Sequence, residues 1–154
     1  MRVFWLVAAF ALAADQSTKH LVMTKLSLGE RIDVVPGLLS WERVHNMRMA
    51  YGLFSARPWV FVIISMLVLV AFGFAFGNLM ASATGPRVAF AAIVGGAVGN
   101  VVDRLRYGYV IDFIVLRPLP IFEVFNVADA CVFLGVVVLL ATTFARGRKR
   151  KQKS

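Results

Sequence analysis

Two aspartates lie in surroundings that disfavour a charged side chain. Asp112 stands in the apolar run YVIDFIV, and Asp129 stands in VFNVADACVFLG. An ionisable group among apolar residues is costly, so its presence indicates a function. When two carboxylates share a site of low dielectric constant, one keeps its proton while the other ionises. The ionised partner can take a proton from water for attack on an amide, and the protonated partner can support the oxyanion.

Further polar residues cluster around these two aspartates in the sequence. Asn100 and Asp103 are three residues apart and Arg104 is four from Asn100, so the three share one face of a helix. Two structural alternatives remain open from the residues alone. Asp129 could be paired with Arg104, and Asp112 could be a loop residue at the membrane edge.

The composition is that of a membrane protein. The chain has 154 residues, of which 60% are hydrophobic, whereas soluble domains have about 45–50%. A chain of this length predicts one domain. The composition fits a membrane-embedded hydrolase and, equally, a small ion- or proton-linked transport protein with a buried carboxylate centre.

Four apolar stretches predict an all-α membrane protein with four transmembrane helices. The second stretch is twenty residues without a charge, which is enough to cross a hydrocarbon core of about 30 Å. The first stretch, with Arg2 and the run ALAA, also looks like a cleaved signal peptide. The alternative is an uncleaved helix in which Asp15 and Lys19, four residues apart, form a pair. The predicted helices cover approximately residues 3–22, 58–77, 88–103 and 124–145.

The segment between the first two helices has a different pattern. Short alternating runs flank a turn at Pro36 and Gly37. Residues 25–56 are therefore predicted to form a small extracytoplasmic β-hairpin or sheet.

The charge distribution predicts an orientation. The formal net charge is +9, and six of the nine residues in the tail 146–154 are Lys or Arg. A basic tail directly after an apolar helix is typical of a cytoplasmic anchor, so nucleic-acid binding is not expected. With four helices both termini are cytoplasmic, and all eight acidic residues then fall on the outer side or its membrane edge. Cys131 is expected to be a packed hydrophobe, and the spacing of His20 and His45 predicts no metal site.

Three segments together resemble lipoprotein signal peptidase, also called signal peptidase II. The stretch GGAVGNVVDRLRYGYVIDFI, residues 95–114, is similar to that family's G-G-x-x-G-N-x-x-D-R followed by G-x-V-x-D-F. FNVADACVFLG matches its F-N-x-A-D, and DQSTKHLV matches its D-x-x-x-K.

The resemblance implies an uncleaved first helix and an aspartic endopeptidase without a cofactor or metal. Such an enzyme removes the signal peptide of a prolipoprotein just before a cysteine that carries diacylglycerol. It would act as a monomer among the phospholipids of the bacterial cytoplasmic (inner) membrane, with its site towards the outer face. Asp112 and Asp129 fall on the catalytic positions. The positions that line or brace the site are Asp15, Lys19, Asn46, Asn100, Asp103, Arg104, Asn126 and Ala128.

One segment departs from the family pattern. The family has Asn-x-Gly-Ala-Ala-Phe before the second helix, whereas this chain has NMRMAY. Asn46 is retained, but Arg48 occupies the Gly position, Met49 an Ala position and Tyr51 the aromatic position. The long Arg48 side chain is expected to reach headgroup phosphates at the outer surface.

Overall fold

The computed structural model describes residues 1–47, 58–117 and 124–151 of the chain. Arg48, Met49 and Tyr51, which depart from the family pattern, lie outside these residues. In chain order the elements are α1 (Arg2–Lys25), β1 (Arg31–Val35), β2 (Leu39–Asn46), α2 (Pro58–Ser82), α3 (Thr84–Tyr107), β3 (Val110–Leu116) and α4 (Val127–Lys151).

The helices expose apolar side chains and bury polar ones. Leu67 and Phe74 of α2 and Phe144 of α4 are exposed, whereas Asp15 and Asp103 are fully buried. Within the part of the chain that the structure describes, three helical segments are long and apolar enough to cross a membrane, and they are Val62–Ser82, Thr84–Tyr107 and Val127–Arg146. This arrangement is the reverse of that in a soluble protein. It suits a lipid surrounding, because an apolar side chain has no free-energy cost in contact with hydrocarbon, whereas a charged one does.

The first helix differs from the other three in composition. Helix α1 has 24 residues, about 36 Å at the usual rise, which is long enough for a crossing. Asp15 and Lys19 interrupt its apolar sequence, and α1 is not one of the three segments that are both long and apolar enough to cross a membrane. The described residues thus support three of the four predicted transmembrane helices, and the fourth stays a prediction.

Helix α3 is central and contacts α1, α2 and α4. Its glycines make this close packing possible. A Cβ at Gly95 would meet the backbone oxygen of Ala8 in α1, and a Cβ at Gly96 would meet that of Ala128 in α4. Gly99 lies against the Asp15 carboxylate. The small residues expected to let helices approach are therefore in direct contact with two neighbouring helices.

The sheet has a third strand that the sequence interpretation missed. Strands β1 and β2 form the predicted hairpin, and β3 pairs antiparallel with β2. The alternative in which Asp112 is a loop residue is wrong, because Asp112 lies within β3. The run VIDFIVL is almost wholly buried, so it lacks the polar–apolar alternation of a half-exposed strand. Gly108, with φ +80°, ends α3 in a left-handed conformation and lets the strand begin.

The helix boundaries also differ from the predicted ones. Helix α3 extends beyond the predicted 88–103, and α2 beyond 58–77. Helix α4 begins at Val127 instead of 124 and continues into the predicted tail, 146–154. The length of an apolar run predicts only the part of a helix that lies in the hydrocarbon core. Arg and Lys, which are good helix formers, continue the helix past that part.

Candidate active site

Asp112 lies on β3 between two amide side chains. Its carboxylate is 2% exposed and accepts hydrogen bonds of 2.7 Å from Nδ2 of Asn46 and of 2.7 Å from Nδ2 of Asn126. Val44 of β2 pairs with Asp112, so Asn46, two residues further on, reaches the same face of the sheet. Burial and the negative charge of Asp129 raise the pKa of Asp112 to about 7, although the hydrogen bonds from the two amide side chains act to lower it.

Asp129 lies in the first turn of α4, where local sequence fixes its position. Asn126 is the residue before the helix, and its Oδ1 accepts a 2.9 Å hydrogen bond from the backbone N–H of Asp129. In return the backbone N–H of Asn126 donates to Oδ2 of Asp129 at 3.3 Å. This reciprocal pair is a capping box. The partial positive charge of a helix N-terminus favours an ionised carboxylate at that position.

Asn100 connects the two carboxylates. Its Nδ2 donates to Oδ1 of Asp129 at 2.8 Å, and its Oδ1 accepts from Nδ2 of Asn126 at 3.1 Å. Asn126 in turn bonds Asp112. Two asparagines from α3 and the start of α4 thus hold carboxylates from β3 and α4 in one continuous network.

A buried ionic cluster supports this network from the side of α1. The Lys19 ammonium lies 2.8 Å from Oδ2 of Asp15 and 2.8 Å from Oδ2 of Asp103, and all three side chains are at most 1% exposed. Oδ1 of Asp15 accepts the backbone N–H of Ala128 at 2.9 Å. Oδ2 of Asp103 accepts the backbone N–H of Ile111 at 3.1 Å. The cluster therefore ties α1 and α3 to the backbone beside each aspartate of the pair.

Arg104 lies at the same end of α3. Its Nη1 donates to the backbone oxygen of Asn100 at 3.3 Å, and its charge attracts the carboxylates of Asp129 and Asp112. Asp129 is held by Asn100 and by the Asn126 backbone, so a pairing with Arg104 alone does not account for its position.

Gln16 is a member of the network that the sequence interpretation missed. Its Nε2 donates to Oδ1 of Asp103 at 2.9 Å and to the backbone oxygen of Gly99 at 3.3 Å. A glutamine is unremarkable in a helix, and the only available signal was its place beside Asp15 within an apolar stretch. The backbone of Ile111 was missed as well, since a backbone donor has no side-chain signature.

All ten predicted site residues belong to this network or to the backbone it holds. A cavity of about 600 Å³ opens beside them, between α2, α3 and α4. Asn46, Asn100, Asp112 and Asp129 form its polar end. Its walls are apolar and include Ile64, Val68, Ile93, Val132, Phe133 and Val136. The cavity can hold an apolar chain and present one end of it to the two carboxylates.

Comparison with known proteins gives a consistent result. The family model described as Signal peptidase (SPase) II matches residues 7–145. A lipoprotein signal peptidase of Listeria monocytogenes is 34% identical over 152 residues, which are 96% of this chain and 97% of that protein. One of Moorella thermoacetica is 38% identical over 136 residues, 88% of this chain and 89% of that protein.

Solved structures agree with the sequence matches. A bacterial membrane enzyme is similar with a TM-score of 0.84 and 29% identity, covering 100% of this chain and 94% of that chain. A second bacterial membrane enzyme has a TM-score of 0.79 and 30% identity, covering 93% of each chain. With a family model over most of its length and relatives above 30% identity, the chain belongs to the signal peptidase II family.

Proposed function

We propose that this chain is a membrane-embedded aspartic endopeptidase that removes the signal peptide from diacylglyceryl-modified prolipoproteins, cleaving just before the lipidated cysteine. The observation that carries the proposal is the meeting of two carboxylates at the polar end of an apolar cavity of about 600 Å³. An apolar signal peptide and acyl chains suit the walls, and the scissile amide suits the polar end. Family membership favours this activity over the transport protein that composition left open.

The surroundings of the two aspartates support different roles. Asp129, at a helix N-terminus, receives N–H groups at both carboxylate oxygens, which favours its ionised form. Asp112 is buried and its pKa is raised to about 7, so it retains a proton more readily. We therefore assign Asp129 as the base and Asp112 as the acid.

The reaction follows from that assignment. Asp129 takes a proton from water as the water oxygen bonds to the carbonyl carbon of the scissile amide. Asp112 donates its proton to the developing oxyanion. When the tetrahedral intermediate collapses, the carbonyl reforms and returns a proton to Asp112, the C–N bond breaks, and Asp129 gives its proton to the leaving amine. Both carboxyl groups are then as they began.

Cleavage by purified variants tests the proposal. Asp112→Asn and Asp129→Asn should each reduce cleavage of a diacylglyceryl prolipoprotein by about 10²–10⁴-fold, because asparagine neither accepts nor releases the proton. Asp33→Asn is the matched control, since Asp33 lies on the exposed strand β1 and accepts a hydrogen bond from Ser40. The readout is the mobility shift of the substrate on a gel. Full cleavage by either dyad variant would refute the assignment.

A further inference from the structure

We propose that Lys19 is a positioning residue for cleavage, because its ammonium fixes the orientation of the Asn100 amide and thereby aims an N–H group at Asp129. This inference rests on the proposed function. It assigns to Lys19 an effect on Asp129, in addition to its role in joining α1 to α3.

The contacts of Lys19 exceed what an ion pair requires. Its ammonium has three hydrogens and three acceptors, and the side chain is 1% exposed. Two acceptors are the carboxylates of Asp15 and Asp103, each at 2.8 Å. Those two contacts already supply the opposite charge. The third hydrogen points to Oδ1 of Asn100 at 3.0 Å, and that amide touches Asp129.

An ammonium group constrains an amide because it only donates. Oδ1 of Asn100 accepts from Lys19 and from Nδ2 of Asn126, while its Nδ2 donates to Asp129. If the amide turned over, Nδ2 would face two donors and Oδ1 would face a carboxylate. Each of its three contacts would become repulsive. The Lys19 ammonium cannot become an acceptor, so it excludes the turned amide whatever its neighbours do.

Asn126 is oriented independently of Lys19. Its Oδ1 accepts the backbone N–H of Asp129, which also only donates. Its Nδ2 is therefore directed to Asp112 and to Asn100. The capping interaction thus orients the amide beside Asp112, and Lys19 acts together with Asn126 on Oδ1 of Asn100 to orient the amide beside Asp129.

The consequence for the reaction concerns the charge on Asp129. An N–H from Asn100 favours the ionised carboxylate that accepts a proton from water. If Asn100 can turn its oxygen towards Asp129, a protonated Asp129 is favoured. Among the described residues, the charged groups that face Asp129 from other elements are Asp112 of β3 and Arg104 of α3, and Lys19 of α1 reaches it through Asn100. Of these only Lys19 acts through the amide.

Replacement of Lys19 gives the first test. Lys19→Met should lower kcat by between about tenfold and a hundredfold with KM nearly unchanged. Because Lys19→Met leaves two buried carboxylates without their cation, the paired variant Asp15→Asn/Lys19→Met is the companion. It keeps the net charge of the cluster at −1, as in the wild type, and an asparagine oxygen can still accept the Ala128 N–H. Thermal unfolding in detergent identifies which variants are folded.

A double-mutant cycle separates positioning from bracing. The paired variant is assayed with and without Asn100→Ala, on the same lipidated prolipoprotein. If Lys19 acts through Asn100, the loss of kcat caused by the paired variant should nearly vanish in the Asn100→Ala background. An equal loss in both backgrounds, or a loss that appears mainly as a higher KM, overturns the inference. Failure of the wild-type chain to cleave would instead overturn the proposed function.

Discussion

Asp112 and Asp129 have the same side chain but different environments, and the difference comes from the elements that carry them. Both line the cavity, but Asp112 is in a buried strand between two amides, while Asp129 lies in the first turn of a helix. Burial disfavours the charge of one, and a helix N-terminus favours the charge of the other. Acid–base hydrolysis needs one carboxyl group that holds a proton and a second that is ionised, and these two environments favour that division.

The raised pKa of Asp112 leads to a pH dependence. Burial and the charge of Asp129 raise this pKa to about 7, so the proton required for cleavage is lost as the pH rises through that value. We expect kcat/KM to fall on the alkaline side with an apparent pKa of about 7, a property of the coupled pair. A pH series of initial cleavage rates measures it.

His45 provides the control for that series. It lies on β2 against Tyr109, with ring centroids 4.0 Å apart, and burial and the charge of Arg43 lower its pKa from 6.5. Its titration therefore falls below the expected limb. His45→Gln should leave the alkaline limb in place, and a limb that disappears in this variant would assign the titration to the histidine.

At the residue scale the sequence predicted the participants better than their contacts. Charged and amide residues in apolar runs are costly, so Asp112, Asp129 and Asn100 were recognisable. The direction of most of their side-chain hydrogen bonds was not, because it depends on partners 14 to 81 residues away in the chain, and the local pair of Asn126 and Asp129 is the exception. The role of Gln16 was not predictable, since its side chain contributes through Asp103 and Gly99 of α3, which only the fold brings to it.

Helix α3 determines how closely the elements of the site approach one another. Gly96 faces α4, where an added Cβ would lie 3.2 Å from Cβ of Cys131 and would press on the backbone of Ala128. Since Ala128 lies between Asn126 and Asp129, separation of these helices also lengthens the contact between Asn100 and Asp129. The closeness of the helices and the geometry of the site are therefore coupled.

A glycine-to-alanine pair tests this coupling. Gly96→Ala should destabilise the protein by about 1–3 kcal/mol and lower kcat, because backbone atoms must move apart. Gly77→Ala is the matched control in α2, since among the described residues no atom outside its own turn of helix lies within 4 Å of an added Cβ, and alanine is the better helix former. Thermal unfolding and cleavage are measured for both. Equal midpoints for the two variants would show that the α3–α4 contact tolerates a methyl group.

At the element scale the helices were predictable and the third strand was not. Apolar runs of about 20 residues mark helices without reference to the rest of the chain. Strand β3 is a short apolar run, which periodicity alone cannot distinguish from other buried segments. Its partner is β2, on the far side of two helices in the chain. The hairpin of β1 and β2 was predictable because both strands and the turn at Pro36 and Gly37 are local.

The molecule as a whole presents hydrocarbon-like surfaces outwards and a polar cluster inwards. That cluster and the sheet lie at one end of the helices, and the turn at Ala83 between α2 and α3 lies at the other. If α1 spans the membrane, both termini are on the side of that turn. The basic residues after Ala145 favour the cytoplasm for it.

Reporter fusions test this topology. A reporter after Ser154 and one at the Ala83 turn should both behave as cytoplasmic, while one at Pro36 should be extracytoplasmic. An N-terminal epitope should be cytoplasmic too, because four crossings return the chain to its first side. Exposure of that epitope on the outer side would leave α1 outside the membrane. A new N-terminus at Ala14 would mean a cleaved segment and the loss of Ala8 and Ala11, against which Gly95 packs.

The contact between Asp15 and the backbone of Ala128 joins the first helix to the last. Asp15 and Ala128 are 113 residues apart in the chain, so a ribosome makes α1 long before α4. Asp129 also lies in α4, so on the proposed mechanism a growing chain has no complete acid–base pair until α4 has been made. We therefore expect a chain that stops before α4 to be inert towards the lipoproteins around it.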